Sequence, residues 1–229
     1  MNERLNIAMI MDGNRRWAKK AGKSALLGHE AGANTLQKVL EWCKKKNIYS
    51  LTLYTFSTEN FKRPKDEVEG LFSLARQYFL RFKKEKMTED VRITFLGDLS
   101  LFPTDIQDIC KELEEKTKHN KTYLLQFCFG YGGRQEIIHA TKELIKDVQN
   151  NVVSIKDITE STFSKYLYTS IEPDIVIRTG GASRQSNFLP WQSTYSEWFY
   201  IDTFWPDITS SILDGILDTY TKRERRFGV

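Results

Sequence analysis

The stretch Met11 to His29 (MDGNRRWAKKAGKSALLGH) concentrates side chains suited to phosphate chemistry. It follows the apolar run Leu5 to Ile10, so Asp12, Gly13, Asn14, Arg15 and Arg16 fall where a hydrophobic strand passes into a helix. At such a corner the free N–H groups of a helix start, with two guanidinium groups, can hold oxyanions. The carboxylate of Asp12 can hold a hard divalent cation that those oxyanions share. Asp-Gly-Asn is also an ordinary turn, because Asp and Asn bond their own backbone and Gly accepts positive φ. Company further along the chain weighs against a bare turn. Arg63 lies in STENFKRP, Ser57 to Pro64, and Arg178 and Arg184 flank TGGAS. With Arg16 they sit beside Gly, Ser, Thr and Asn, a combination suited to bidentate and backbone bonding of phosphate oxygens. A single Arg is commonly a surface ion-pair residue, but four at predicted strand ends exceed what one diphosphate needs. The acidic candidates are Asp12, Glu59 and Glu197. Glu197 opens a strand pattern, where an acid is usually an exposed alternating residue unless that strand end faces a cleft. TGGASR has neither Walker nor GxGxxG spacing, so nucleotide motifs are unmet. These residues imply a magnesium-dependent enzyme acting on diphosphates.

Such groups need elements to position them. Apolar, β-branched and aromatic runs predict strands at Leu5–Ile10, Ile48–Phe56, Val91–Leu96, Tyr123–Phe129, Asp174–Arg178 and Glu197–Ile201. Beyond the helix at the first corner, 3.6-residue spacing predicts helices at Glu30–Lys46, Asp66–Lys86, Thr104–His119, Gln135–Gln149, Ser161–Tyr168 and Ser210–Arg225. The alternation means βαβ units with right-handed crossovers. The fold expected is α/β: a single domain over 1–229 with a central, mainly parallel six-stranded sheet flanked by helices. Ligands of such sheets bind beyond the carboxyl ends of the strands. Segments 12–17, 57–63, 130–134 and 178–187 all lie there and can converge on one cleft.

Composition narrows the class. A chain of 229 residues with 40% hydrophobic content supports one core. A net charge of +4, from 34 basic and 30 acidic residues, is too slight to argue for nucleic acid, though it suits anionic ligands. Cys43, Cys110 and Cys128 sit in apolar patterns and read as buried thiols of a reducing compartment, not disulfides or zinc ligands. The N-terminus lacks a signal-peptide core, and no apolar run approaches the roughly 18 residues of a membrane span. The expectation is a soluble, cytoplasmic protein whose membrane contact is at most peripheral.

The segments MDGNRRWAKKAGKSALLGHEAG, LTLYTFSTENFKRPKDEV, FGYGGRQEI, DIVIRTGGASRQSNFLPWQSTYSEWFY and the terminal RERRFG resemble the successive signature regions of the cis-prenyltransferases. The likeness covers nearly the whole chain and is strongest to the bacterial branch that makes undecaprenyl diphosphate. It implies sequential condensation of isopentenyl diphosphate onto farnesyl diphosphate with new double bonds cis, Mg²⁺ as cofactor, and a homodimer. The product would be the precursor of the lipid carrier for cell-wall polysaccharide, and would be released by peripheral membrane contact. By the same resemblance Asp12 is catalytic and binds Mg²⁺, while Gly13, Asn14, Arg15 and Arg16 cradle the allylic diphosphate with Trp17 and His29 nearby. Ser57, Thr58, Glu59, Asn60, Phe61 and Arg63 match the next region, in which the Asn is linked to proton removal and the Arg to orienting substrate. An amide has no basic group at neutral pH, so Asn60 is not expected to be the base itself. Arg178, Arg184, Gln185 and Ser186 match the isopentenyl diphosphate site, and Glu197 matches an acid that joins the metal site from the partner subunit. A growing hydrocarbon costs about 0.8 kcal/mol per exposed CH₂. A hydrophobic tunnel between sheet and helices is therefore expected, with Leu71, Phe72, Phe79 and Phe82 in its wall, although each could simply pack the core.

The sequence departs from the family pattern in places. Ala25 stands where Arg is frequent, Arg15 where Gly is frequent, Phe61 where Trp is frequent, and GGASR where GGEHR or GGEQR is common. Arg15 is expected to restore the charge lost at Ala25. With Ala182 and Ser183 offering no acid or imidazole, metal ligation would rest on Asp12, Glu197 and phosphate. A non-catalytic subunit of a two-chain prenyltransferase would keep the terminal Arg226, Phe227 and Gly228 but lose active residues; Asp12, Asn60, Arg178, Arg184 and Glu197 are all present. A phosphatase-like module would place a second acid where Asn14 stands.

Overall fold

Strands buried on both faces read as near-continuous apolar runs, and those runs pair here as a parallel sheet. A computed structural model of the chain describes residues 4–84 and 89–223. Its strands are β1 (Asn6–Ile10), β2 (Ser50–Ser57), β3 (Val91–Leu96), β4 (Tyr123–Tyr131), β5 (Ile175–Arg178) and β6 (Glu197–Tyr200). They form one six-stranded sheet in the order β3-β4-β2-β1-β5-β6, with every neighbouring pair parallel. The expected α/β architecture is the one observed.

The helices are α1 (Asn14–Lys20), α2 (Ala25–Lys45), α3 (Lys65–Lys84), α4 (Thr104–Thr117), α5 (Gly133–Gln149), α6 (Glu160–Ser164) and α7 (Ser210–Lys222). Several bounds differ from the periodicity. α2 starts at Ala25, not Glu30, because Ser24 caps it: its hydroxyl accepts from Leu27 N at 3.4 Å. α6 is displaced toward Thr159, whose hydroxyl accepts from Thr162 N at 3.1 Å. β4 runs on to Tyr131, which pairs with Ser57. The expected helix ends at Lys86 and Arg225, and the motif Arg226, Phe227 and Gly228, lie outside the described residues.

Strand alternation divides the core. Ile7 and Met9, Leu51 and Leu53, Ile93, Leu125 and Phe127, and Ile175 and Ile177 face one layer of helices. There they meet Leu36, Val39 and Leu40 of α2, Phe72, Phe79 and Phe82 of α3, Ile106 and Leu113 of α4, and Leu213 of α7. Ala8, Ile10, Cys128 and Val176 turn the other way, against Phe188 and Leu189. The three cysteines are buried. Among the described residues no helix is long and apolar enough to cross a membrane. Register shifts between Tyr54, Phe56 and Ser57 break the β2–β4 ladder just before the segment 57–63. Such bulges re-aim side chains beside sites.

Candidate active site

The corner after β1 is built around Asp12. Its backbone is held three ways: its N–H donates to Ile10 O at 3.0 Å, and its carbonyl accepts from Thr179 Oγ1 at 2.6 Å and Trp205 N at 3.0 Å. Register places Arg178, the last residue of β5, beside Ile10. From there Arg178 Nη2 donates to Asp12 Oδ2 at 2.9 Å, and Arg16 Nη2 donates to Asp12 Oδ1 at 3.1 Å. The same Arg178 donates through Nη1 to Arg184 O and Ser186 Oγ, both at 2.6 Å. Arg16 reaches back to Gly180 O at 2.6 Å. Gly180 has φ 82°, and a Cβ there would lie 2.7 Å from Arg16 Nη2, so only glycine lets this loop come so close. Burial pushes the Asp12 carboxyl pKa upward, but Arg178 and Arg16 outweigh it and hold the group below its ordinary range. The carboxylate is charged at neutral pH.

The segment after β2 supplies a second set. Asn60 Oδ1 accepts from Ser57 N at 3.1 Å in a capping box that shapes the turn Thr58–Lys62. Burial raises the Glu59 carboxyl, yet N–H and hydroxyl donors around it, with Asn187, hold it below its ordinary value. Arg63 Nη1 donates to Glu67 Oε1 at 3.1 Å, and Arg15 Nε lies 3.8 Å from the same oxygen. His29 Nδ1 is 3.5 Å from Asn14 Nδ2. Burial and the facing Arg63 and Arg15 push its pKa down to about 4, with Glu67 opposing, so the imidazole is neutral at pH 7.

These groups border a cavity of about 650 Å³. One end is polar, with Asp12, Asn14, His29, Asn60, Arg63 and Arg178; the other runs between α2, α3 and the sheet, past Leu36, Leu74, Ala75, Phe79 and Phe127. A bay of about 730 Å³ shares Asp12, Asn14, His29 and Arg63 and adds Gly13, Arg15, Arg16, Lys19, Lys23 and Ala25. Arg15 and Ala25 therefore face one space.

Not every expected residue joins this cleft. The indole N–H of Trp17 donates to Asp207 at 2.7 Å, and the ring carries Lys23 above it, outside both cavity linings. Phe61 packs among aromatic rings, 4.9 Å from Phe56 and 5.2 Å from Phe102. Arg184 contributes its carbonyl, and the side chains of Arg184 and Gln185 are exposed. Thr58 lines a separate hollow with Gly132, Gln135 and Tyr168. Glu197 pairs in register with Ile175, at the opposite end of β5 from Arg178, and is ion-paired to Arg223. Within one protomer it does not meet Asp12. Sequence reasoning did not single out Tyr54, Glu67, Thr179 or Asn187. The spacing of Glu67 four residues after Arg63 was a readable signal. Tyr54, whose hydroxyl donates to Ser186 O at 3.2 Å, looks like any aromatic of a buried strand.

Among the described residues no group of three or more His, Cys, Asp and Glu side chains could hold a metal by itself. The donor set fits a different kind of site. Each Asp12 oxygen takes one guanidinium and keeps a further lone pair. Mg²⁺ keeps several waters and is commonly bound by one or two carboxylates plus substrate phosphate, so Asp12 suits it.

Comparison with known proteins agrees with this geometry. A family model described as "Putative undecaprenyl diphosphate synthase" matches residues 10–228. The tritrans,polycis-undecaprenyl-diphosphate synthase (geranylgeranyl-diphosphate specific) of Pyrococcus abyssi is 44% identical over 227 residues, 97% of this chain and 86% of that protein. An isoprenyl transferase of Fusobacterium nucleatum is 45% identical over 224 residues, 97% of this chain and 95% of that protein. Lavandulyl diphosphate synthase from Lavandula x intermedia, solved in complex with dimethylallyl diphosphate, superposes with a TM-score of 0.92 at 30% identity, covering 98% of both chains. Carrying that fold and a cleft of cations around one ionised aspartate, the chain belongs to the undecaprenyl diphosphate synthase family of prenyltransferases.

Proposed function

We propose that the protein catalyses Mg²⁺-dependent cis elongation of a prenyl chain, adding isopentenyl diphosphate units to farnesyl diphosphate until an undecaprenyl-length diphosphate is made. The observation that carries this reading is one cavity with two characters: a polar end where Arg178 joins Asp12 to Ser186, and an apolar end between sheet and helices.

The chemistry follows from that division. Breaking an allylic C–O bond leaves charge on the departing diphosphate, and Arg16, Arg63, Arg15 and the lysines of the bay stabilise it where it forms. Arg178 and Ser186 hold the isopentenyl diphosphate within reach. Mg²⁺, when bound, supplies further stabilisation of the leaving charge; Asp12 would hold it, joined by Glu197 of the partner subunit in a homodimer. Capture of the allylic cation by the isopentenyl double bond, then loss of a proton, gives the longer chain. Asn60 is not the base: its amide is non-basic and its oxygen is occupied by Ser57 N. The apolar end shelters the tail from water at about 0.8 kcal/mol per CH₂, which makes it the expected tunnel. The enzyme would work in the cytoplasm, at the inner face of the plasma membrane, and deliver its product as the precursor of the carrier lipid for cell-wall polysaccharide.

A second starter has support. The Pyrococcus abyssi relative is described as geranylgeranyl-diphosphate specific, so geranylgeranyl diphosphate is the alternative to farnesyl diphosphate. The test incubates purified protein with either starter, labelled isopentenyl diphosphate and Mg²⁺ or chelator, then sizes the extracted lipid. A Mg²⁺-dependent ladder ending at undecaprenyl length is expected. No elongated product, with Asp12→Ala behaving like wild type, would overturn the assignment; a shorter ladder would revise only the chain length.

A further inference from the structure

We propose that Asn187 is a positioning residue that locks the segments after β2, β4 and β5 into one active arrangement, orienting Glu59 and presenting Ser186 to Arg178; this rests on the function proposed above. Ser186 and Asn187 are consecutive left-handed residues, φ 52° and 63°, with Leu189 at 46° close behind. L-residues adopt that conformation at a cost, and Asn tolerates it better than most. Strain of this kind persists only where surrounding contacts over-determine it.

Those contacts converge on Asn187. Its carbonyl accepts from Gly133 N at 2.8 Å and its Oδ1 accepts from Arg134 N at 2.9 Å. The preceding Gly132 has no side chain with which to cap α5, so one residue of the β5 loop, through its backbone carbonyl and its side-chain oxygen, satisfies two of the helix's opening N–H groups. The other half of the amide turns toward β2: Nδ2 donates to Glu59 Oε1 at 3.3 Å and to Gln135 Oε1 at 3.2 Å. One carboxamide, carried by the segment after β5, thus bonds to the segments after β2 and β4. Ser186, fixed from behind by the Tyr54 hydroxyl on its carbonyl at 3.2 Å, offers its own oxygen to Arg178. Phe188 and Leu189, fully buried, anchor the far side.

This arrangement accounts for the glycines of GYGGR. A Cβ on Gly133 would lie 2.1 Å from Pro190 Cδ and 3.0 Å from Asn187 O; one on Gly132 would lie 2.3 Å from Gln135 Oε1 and 3.0 Å from Asn187 Nδ2. The β4 corner is bare so that the 187–190 segment can lie against it.

Asn187→Asp keeps the acceptor and the left-handed tolerance but turns a donor into a third oxygen facing Glu59 and Gln135. In wild-type enzyme that elongates, this variant is expected to raise KM for isopentenyl diphosphate about tenfold or more while kcat changes less than about threefold. Adding Glu59→Gln lets the new amide donate to Asp at 187, so the KM increase of the double variant should fall about threefold or more below the product of the single increases. Asn187→Gly, which keeps the backbone conformation and removes the side chain, should also raise KM, with a melting temperature near wild type; it serves if the Asp variant fails to fold. KM within twofold of wild type for both variants, or strictly multiplicative effects at 59 and 187, would overturn the proposal. Should wild type make no prenyl product, the functional reading fails. Asn187 is then judged by calorimetric affinity for inorganic pyrophosphate, expected to drop about tenfold in the Asp variant and to stay unchanged if the proposal is wrong.

Discussion

Replacing His29 with Gln should flatten the pH dependence of stability between about pH 4 and 6.5. Burial, with Arg63 and then Arg15 facing the ring and Glu67 partly offsetting them, depresses the folded-state pKa from 6.5 to about 4. Across that window the unfolded chain binds a proton that the folded chain does not, so stability rises with pH. The contribution is complete above 6.5 and lost as pH falls through about 4. At 1.36 kcal/mol per pKa unit, the full swing is about 3 kcal/mol, of which about 2 is gone by about pH 5; partial exposure of the ring makes this an upper bound. Burial raises the carboxyls of Glu136 and Glu114. Their contributions carry the opposite sign, present below the unfolded pKa and lost as pH rises, but they are common to both proteins and cancel in the difference. The assay is urea denaturation of wild type and His29→Gln from about pH 5 to 7.5. Wild type should lose about 1–2 kcal/mol more than the variant on acidification. Parallel profiles would refute the reasoning, since they would mean that the imidazole is protonated in the folded cleft.

Other substitutions read the same cleft. Asp12→Asn removes the counter-charge of Arg178, whose side chain is 5% exposed; steady-state assays should show kcat down at least about 100-fold, and thermal melts a loss of about 1–3 kcal/mol. Arg15→Gly should raise KM for the allylic diphosphate severalfold, because Arg15 shares its bay with Ala25; tighter binding by the variant would contradict the charge-compensation idea. Ala75→Leu, which fills part of the apolar end of the cavity, should shift the product ladder to shorter chains on lipid chromatography, and an unchanged ladder would remove that end from the path of the tail.

The inner strands of the sheet, β1, β2, β4 and β5, were legible because they are buried on both faces. LNIAMI, IYSLTLYTF, YLLQFCF and DIVIR advertise themselves as apolar runs whatever their neighbours. Helix starts were less so. Leu26 and Leu27 on the first turn of α2 are both 47% exposed, so no stripe begins there and the periodic signal waits until Glu30, although Ser24 already caps the helix. α5 hid its start for another reason. It opens on Gly133, a poor helix former, and its cap comes from Asn187 across the fold.

At the site, residue types were legible and directions were not. Trp17 follows Arg16 by one residue, but a helix turns by about 100° per residue, enough to send the indole to Asp207 while the guanidinium reaches Asp12. The deeper limit is register. Asp12 and Arg178 are 166 residues apart in sequence, and no hairpin turn fixes how β1 and β5 align, because parallel strands are joined by long crossovers. A slip of two residues keeps every apolar side chain on its own face yet moves Arg178 about 6.6 Å along the strand. That is more than twice the 2.9 Å of the bond it makes to Asp12. Hydrophobic patterning tolerates that slip, so what excludes it is the polar corner itself. Thr179 and Trp205 on the Asp12 carbonyl, and Arg16 on Gly180 O, are bonded only when Ile10 faces Arg178. The groups that would do the chemistry therefore also specify the alignment that brings them together.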